Sequence, residues 1–282
     1  LAAMIGPPPI EREVDPTLFF DDGTEVAELV TLADTLTTTR EIDPDDDGVV
    51  THAHVLVDEA QDITPMQWRM LRRRGPQASW TLVGDPAQSS YPSDDETRRA
   101  MRDLIGRGAS RTFRLSTNYR SPAEIMDLAG RVITSVYPDA DVPASVRRTG
   151  VQPELLALPD APRGERLGRV LTRLAAEVDG SIAVICSAGR LASVRDTIAT
   201  MPLPDELRNR LTVLTALQVK GLEFDATIVL APDEIVQQTA GGVRVLYVAL
   251  TRATQRLVTL DLTDGRPGAW RESLELPANG SE

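Results

Sequence analysis

The sequence predicts an α/β protein built on mainly parallel sheets, and three observations carry that expectation. A short apolar run, His54-Val-Leu-Val57, leads straight into the adjacent carboxylates Asp58 and Glu59. A second run, Trp80-Thr-Leu-Val83, leads into Gly84-Asp85 in the same way. From Glu154 onward, strand-like and helix-like segments alternate. Continuous apolar runs this short read as strands buried on both faces, as parallel strands are. Strands alternating with helices make the connections crossovers of a parallel sheet. Carboxylates at the C-terminal ends of such strands lie where open α/β sheets bind ligands.

Length and composition bound the rest. The chain has 282 residues, which predicts about two domains. A formal net charge of −12 argues against wholesale non-specific nucleic-acid binding and confines any such groove to a local basic patch. The lone cysteine, Cys186, excludes an internal disulfide and a cysteine-based zinc site. It lies in an apolar run, so a packed, inert thiol is expected. No run approaches the ~18 apolar residues of a membrane span, and no basic segment precedes a short apolar one as in a signal peptide. The default expectation is a cytoplasmic protein. Because the sequence opens on Leu1, it reads as part of a longer chain. Lys220 is the only lysine, and Gly221 and Leu222 follow it. A phosphate-cradling Walker A loop needs Gly-Lys followed by Ser or Thr, so this chain carries none.

Taken in order, residues 1–17 are proline-rich and read as irregular. Val26, Leu29, Val30, Ala33 and Leu36 recur at helical spacing, predicting a helix over 24–38. Residues 41–48 form an acidic loop holding Asp43, Asp45, Asp46 and Asp47. After the first strand, Thr64-Pro-Met-Gln67 predicts a capped helix start, with Thr64 as N-cap, Pro65 at the first position and Gln67 reciprocating. Met66, Met70 and Leu71 are expected to form its apolar side, and Arg72 to Arg74 suit its last turn. Residues 113–115 read as a short strand. Ser121-Pro-Ala-Glu124 reads as a second capping box, with Ile125, Leu128, Ala129, Val132, Ile133 and Val136 as the core face of its helix. Residues 137–153 read as a linker or extended crossover. Strands are then expected over 154–158, 181–187, 211–215, 225–231 and 256–262, and helices over 167–178, 188–201 and 243–253. The tail from Thr263 is expected to be loose.

Five polar stretches punctuate this pattern: Val57-Asp-Glu-Ala-Gln-Asp62, Val83-Gly-Asp-Pro-Ala-Gln88, Asn118-Tyr-Arg-Ser121, Thr215-Ala-Leu-Gln-Val-Lys-Gly-Leu-Glu-Phe224 and Leu246-Tyr-Val-Ala-Leu-Thr-Arg-Ala253. In content and order the series resembles the superfamily-one helicases of the UvrD/Rep type, from motif II through motif VI, over residues 52–262. Within that group it looks most like the HelD family of RNA polymerase recycling factors. Pro65-Met-Gln-Trp-Arg-Met-Leu71, Ser121-Pro-Ala-Glu-Ile-Met126, Ser145-Val-Arg-Arg-Thr-Gly150 and the run from Leu246 to Arg256 carry that finer likeness.

The resemblance implies two RecA-like parallel-sheet domains of the P-loop NTPase type, the first incomplete and lacking its Walker A segment. Residues 1–50 are then an insertion or linker region before motif II. Residues 51–115 are the C-terminal half of the first RecA-like domain, 116–262 the second, and 263–282 a tail. The implied cofactors are ATP and Mg²⁺. Asp58 resembles the Mg²⁺-holding carboxylate, and Glu59 the residue that activates water; the acid pair at a strand end suits that chemistry. Gln88 resembles the γ-phosphate sensor, whose amide can donate to phosphate and hold a water. Arg120 and Arg252 resemble the two phosphate-binding arginines, for which a planar guanidinium is apt. Tyr119 looks like the residue that stacks on adenine, while Glu223, with Gly221 beside it, looks like the ribose contact. Thr215 and Lys220 fall in the segment that couples nucleotide state to the nucleic-acid track.

Three departures shape the functional expectation. After Gln88 the chain reads Ser-Ser-Tyr-Pro-Ser-Asp-Asp95, where DNA-translocating relatives carry a second aromatic and an arginine. Stacking and cationic tracking are the usual grip on a single strand. The Thr-x-His pattern of the coupling segment is Thr215-Ala-Leu217 here. The connection between the Cys186 and Leu211 strands leaves no room for a large accessory domain. These departures favour a motor acting on core RNA polymerase as partner, with Asp43 to Asp47 reaching toward it. A UvrD/Rep-type DNA helicase acting on single-stranded or duplex DNA, and a non-enzymatic RecA-like binding module, are the alternatives. The chain alone is expected to be inactive as an ATP hydrolase, its missing N-terminal part supplying the phosphate loop.

Overall fold

The computed structural model describes residues 52–89, 94–105, 110–158, 163–263 and 265–272. They fall within one compact unit, Thr51–Glu282. The expected helix over 24–38 and the acidic loop with Asp43, Asp45, Asp46 and Asp47 lie outside the described residues.

The first strand, β1 (His54–Val57), pairs in parallel with β2 (Ser79–Leu82). Between them runs α1 (Pro65–Arg74), and after β2 comes α2 (Asp94–Ile105). The predicted capping box is present: Thr64 Oγ1 accepts from the Gln67 amide at 3.3 Å, and Gln67 Oε1 accepts from the Thr64 amide at 2.8 Å. The packing side differs from expectation. Met66 and Met70 are exposed, and the helix instead buries Trp68, with Leu71 partly covered. Trp68 packs with Val57 and Ala60, against Val55, Trp80, Leu82, Met101 and Leu104. That cluster covers one face of β1 and β2 only. On the other face Leu56 is 65% exposed, and His54 bonds Ser79 Oγ at 2.7 Å and Thr81 Oγ1 at 3.1 Å. The expectation that β1 is buried on both faces is therefore corrected: alternate side chains face opposite sides, and among the described residues helices cover only one.

Residues 113–115 are not a strand. Phe113 and Leu115 stand exposed, and the pairing occurs just beyond them, where β3 (Thr117–Asn118) runs parallel to β4 (Ala144–Ser145). The helix α3 (Ala123–Val136) lies between. It buries Ile125, Leu128, Ala129, Val132 and Ile133 as expected, but Val136 is exposed. Its N-cap is Pro122 with no side-chain cap. Ser121 Oγ is engaged elsewhere, on the Thr251 carbonyl at 3.3 Å, so the second capping box does not form.

The remaining elements build one parallel sheet. In chain order they are β5 (Glu154–Leu158), α4 (Arg163–Glu177), β6 (Ile182–Cys186), α5 (Leu191–Thr200), α6 (Asp205–Arg210), β7 (Leu211–Thr215), β8 (Phe224–Leu230), α7 (Pro232–Gln237), α8 (Gly242–Leu250), β9 (Ala253–Leu262) and α9 (Ala269–Glu272). The strand order is β5-β9-β8-β6-β7, with every pairing parallel. Helices cover both faces. Ala183 and Ile185 of β6 join the core under α3 and α8, whereas Ile182, Val184 and Cys186 join the core under α4 and α5. This is why β6 reads as unbroken apolar sequence. Burial pushes the Cys186 thiol up to about 11, in keeping with the expected inert role.

The α/β expectation with parallel sheets is thus what the structure has. The predicted positions of β5 and β7 match, and other element ends move by up to four residues. The short helices α6 and α7 and the whole of α2 went unforeseen. The tail is not loose over 265–272. Asp261, buried at 1% exposure, accepts from the Gly268 amide and from Trp270 Nε1, both at 2.8 Å. Arg271 pairs with Asp261 and donates to the carbonyls of Leu155 and Leu156. Polar anchoring of this kind carries no apolar periodicity and leaves no mark in the sequence pattern.

Candidate functional site

The chain turns as β1 ends. Asp58 is exposed, and its Oδ1 accepts from the Glu59 amide at 2.8 Å. Glu59 then adopts left-handed backbone, φ 52°, a region few residues with side chains occupy. Gln61 holds the turn. Its Nε2 donates to Glu59 Oε2 at 2.6 Å, and its Oε1 accepts from the Asp85 amide at 3.0 Å. Gln61 therefore joins the ends of β1 and β2 from a buried position. Gly84 makes room for it, since a Cβ there would sit 2.5 Å from Gln61 Oε1. Gln61 lies inside the first polar stretch, with no role expected for it. A glutamine in the turn that follows a predicted strand end, past Asp58, Glu59 and Ala60, was the available signal, because buried amides need partners.

Beyond β2, Asp85 organises a 3₁₀ turn over Pro86–Gln88. Its Oδ1 accepts from the Ala87 amide at 2.9 Å, and its Oδ2 accepts from Gln88 Nε2 at 2.8 Å. That fixes the Gln88 carboxamide with its oxygen free for another donor, and the donor is Arg252 Nη2 at 3.1 Å. The Gln88 carbonyl accepts from Lys220 Nζ at 2.6 Å. Lys220 also pairs with Asp62 and stands 4.0 Å from Glu59 Oε2. The turn after β7 delivers it there: Thr215 and Gln218 exchange side-chain and backbone bonds of 3.0 and 3.3 Å. Gly221 follows with φ 74°, a left-handed step that glycine makes without strain. Asp62, the lysine's partner, was not foreseen as a site residue.

Arg252 follows α8 and is 4% exposed. Its guanidinium donates to the carbonyls of Val248 at 3.1 Å and Leu222 at 3.4 Å, besides Gln88. Burial, and then the nearby Arg120 cation, pull its pKa below the ordinary arginine value, while Glu59 and Glu223 oppose that shift. Arg120 pairs with Glu223 at 2.9 Å. Asn118 shapes the loop that carries it, Oδ1 accepting from the Arg120 amide at 2.8 Å and the Ser121 amide at 3.3 Å. Tyr119 is 74% exposed.

The structure therefore brings Glu59, Gln88, Lys220 and Arg252 into one connected network, with Arg120 and Glu223 beside it. Asp58 borders the network through Glu59, and Tyr119 touches none of these side chains by any hydrogen bond or ion pair. The small cleft under the network is lined by Gln88, Ala216, Leu217, Lys220, Val245 and Val248. The residues fit the phosphate end of a nucleoside triphosphate. Two adjacent guanidiniums suit an anion, and the buried one is disfavoured as a cation where it stands. Among the described residues no cluster of three or more metal-ligating side chains is present. One exposed carboxylate, Asp58, is the kind of ligand set Mg²⁺ accepts when phosphates and water supply the rest.

Comparison with known proteins bears on the same residues. Residues 45–92 match the UvrD/REP helicase N-terminal domain, and residues 210–260 match the UvrD-like helicase C-terminal domain. The ATP-dependent DNA helicase UvrD2 of Mycobacterium tuberculosis, and that of Mycobacterium bovis, is 37% identical over 82 residues. That match spans 28% of this chain and 12% of the relative's length. Among solved structures, the C-terminal domain of a possible DNA helicase from Lactobacillus plantarum WCFS1 aligns with TM-score 0.41 and 21% identity, over 56% of this chain and 94% of that one. The Arterivirus nonstructural protein 10 helicase aligns with TM-score 0.43 and 14% identity, over 80% of this chain and 42% of that one. Two segments of the chain thus match UvrD-like helicase domains, N-terminal and C-terminal, and between them they hold Asp58, Glu59, Gln88, Lys220, Glu223 and Arg252.

Proposed function

We propose that this chain supplies the hydrolytic and sensing half of an ATP-dependent, UvrD-like helicase-type motor. The observation that carries the reading is Gln88. Its carboxamide is locked by Asp85 on one side and bonded to Arg252 on the other, so one side chain ties the end of β2 to the end of α8. A γ-phosphate at that point would meet the amide and the guanidinium together. Glu59, bonded by Gln61, would take a proton from an attacking water. Arg252 and Arg120 offset charge that develops on a transferring phosphoryl group, a role that planar guanidiniums fill well. Asp58 would hold Mg²⁺ through water, and the ion would supply positive charge against the phosphates. Tyr119 offers an exposed ring to the base, and Glu223 a carboxylate to the ribose. Lys220 links the acidic turn after β1 to the loop after β7, so a change at Glu59 reaches that loop directly. Because the chain has no Walker A sequence, we expect it to hydrolyse no ATP by itself.

What the motor moves admits two readings, each favoured by its own observation. The matched relatives are named DNA helicases, which favours a single-stranded or duplex DNA track. The connection from β6 to β7 consists of little more than α5 and α6, so no accessory domain is inserted there. That favours the HelD-like role of binding and releasing RNA polymerase. Steady-state ATP hydrolysis by the complete protein, alone, with single-stranded DNA and with core RNA polymerase, separates them. Stimulation by DNA supports the helicase reading, and ATP-dependent release from polymerase supports the recycling one. An Arg252→Ala variant should lose at least ~10³-fold in kcat, the scale at which phosphate-stabilising arginines act. Full activity in that variant overturns the site.

A further inference from the structure

The segment Ser145-Val-Arg-Arg-Thr-Gly150 has no part in the chemistry above, yet it is tightly built. Val146 donates its amide to the Asn118 carbonyl at 3.1 Å, and the Arg147 carbonyl accepts from the Ala123 amide at 2.8 Å. Glu124, buried at the start of α3, accepts from the Thr149 amide, the Thr149 hydroxyl and the Gly150 amide at 3.3, 3.4 and 2.8 Å. Its own amide, and then that of Gly150, hold its carboxyl below the ordinary glutamate value. Gly150 has φ 74°, which lets the chain leave this turn without strain. The segment is thereby wrapped around the first turn of α3.

What the wrapping delivers is the Arg147 guanidinium. Its Nη2 donates to the Arg120 carbonyl at 2.9 Å and also to the Thr254 carbonyl. Arg120 is one of the two phosphate-facing arginines, and Thr254 lies two residues past the other, Arg252. One nitrogen therefore fastens the Arg120 loop to the start of β9, just past Arg252. The Ser121 hydroxyl, on the Thr251 carbonyl at 3.3 Å, makes a second tie alongside. We infer that Arg147 is a positioning residue that sets the separation of Arg120 and Arg252 by holding the loop that carries Arg120 against the first residues of β9, which follow Arg252. The inference rests on the reading of those arginines as the phosphate-binding pair.

The test uses the complete protein with Arg147→Met, which keeps the stem and removes the donors. We expect kcat for ATP to fall about 10- to 100-fold, the size of effect that small misplacement of a reacting group produces, with KM changed less than about threefold. ADP binding should be unchanged, while binding of ADP with aluminium fluoride weakens by a factor similar to the loss in kcat. In the nucleotide-free protein, amide hydrogen exchange across 117–123 should quicken. Arg147→Lys, whose ammonium can still donate to both carbonyls, should recover most of the loss. In an Arg120→Ala background, Arg147→Met should weaken the fluoride complex no further, since residues acting through one another are non-additive. Unchanged kcat and exchange in Arg147→Met overturn the inference, as does an equal loss on top of Arg120→Ala. Full hydrolysis by both Arg120→Ala and Arg252→Ala instead removes the reading beneath it.

Discussion

Two parallel pairings in this molecule use similar apolar runs and end in different surroundings. In the five-stranded sheet, Ile182, Ala183, Val184, Ile185 and Cys186 of β6 are all fully buried. In the two-stranded pairing, Val57 of β1 is buried and its neighbour Leu56 is 65% exposed. Both runs alternate side chains across the strand. The difference is what lies over each face. Helices α3 and α8 cover one side of β6, and α4 and α5 the other. Trp68 of α1 and residues of α2 cover one side of β1. An apolar run therefore reports that a strand can be buried on both faces, and only the elements around it decide whether it is.

The contrast is most open to attack where burial is deepest. Ile185 is 0% exposed, inside the core cluster with Ile125, Val229 and Leu246. Ile185→Ala should destabilise the chain by about 2–5 kcal/mol, the range for truncating a buried aliphatic side chain and leaving a cavity. Urea unfolding gives the value. A loss below about 1 kcal/mol, the level of ordinary surface and half-buried changes, would mean that β6 is no better packed than β1 and would erase the distinction.

A middle-sized effect sharpens the other half. The helix over β1 and β2 begins at Thr64, whose hydroxyl and backbone exchange bonds with Gln67. Thr64→Ala removes the side-chain acceptor and should cost about 1 kcal/mol, as lost N-caps do. Gln67→Ala removes the reciprocal acceptor, and the double variant should lose less than the sum, because the two bonds form one box. Full additivity would show that the two bonds act independently.

The legible and illegible parts of the molecule divide along physical lines. The strands of the larger sheet could be read because both faces are covered, so every residue in them is under the same pressure. The Thr64 cap could be read because its chemistry is local to four residues. Asp58 and Glu59 could be read as carboxylates at the end of an apolar run, whereas Gln88, Lys220 and Arg252 were expected only through the resemblance of the motif series, and the structure gathers Glu59, Gln88, Lys220 and Arg252 into contact. What escaped were polar partnerships between residues of different segments. Gln61 bridging to Asp85, Asp62 meeting Lys220, and Asp261 collecting Gly268, Trp270 and Arg271 leave no periodic trace. Ser121 failed as a cap for the same reason, its hydroxyl being drawn to Thr251 across the fold.

The smallest expected effect tests the comparison most severely. Leu56 lies on the face of β1 that it shares with His54, opposite the exposed Thr81 of β2. Leu56→Thr keeps a side chain suited to a strand while removing apolar surface, so propensity is held nearly constant. With 65% of the residue already in water, the change should alter unfolding free energy by no more than about 0.5 kcal/mol, as surface substitutions usually do. Val57→Thr, one residue on, puts a hydroxyl where the native residue is 7% exposed. It should cost about 1–3 kcal/mol, the penalty for burying an unpaired polar group. If Leu56→Thr cost as much as Val57→Thr, both faces of β1 would be covered in solution. The run that opens the site would then be as deeply buried as β6, and the asymmetry between the two sheets would disappear.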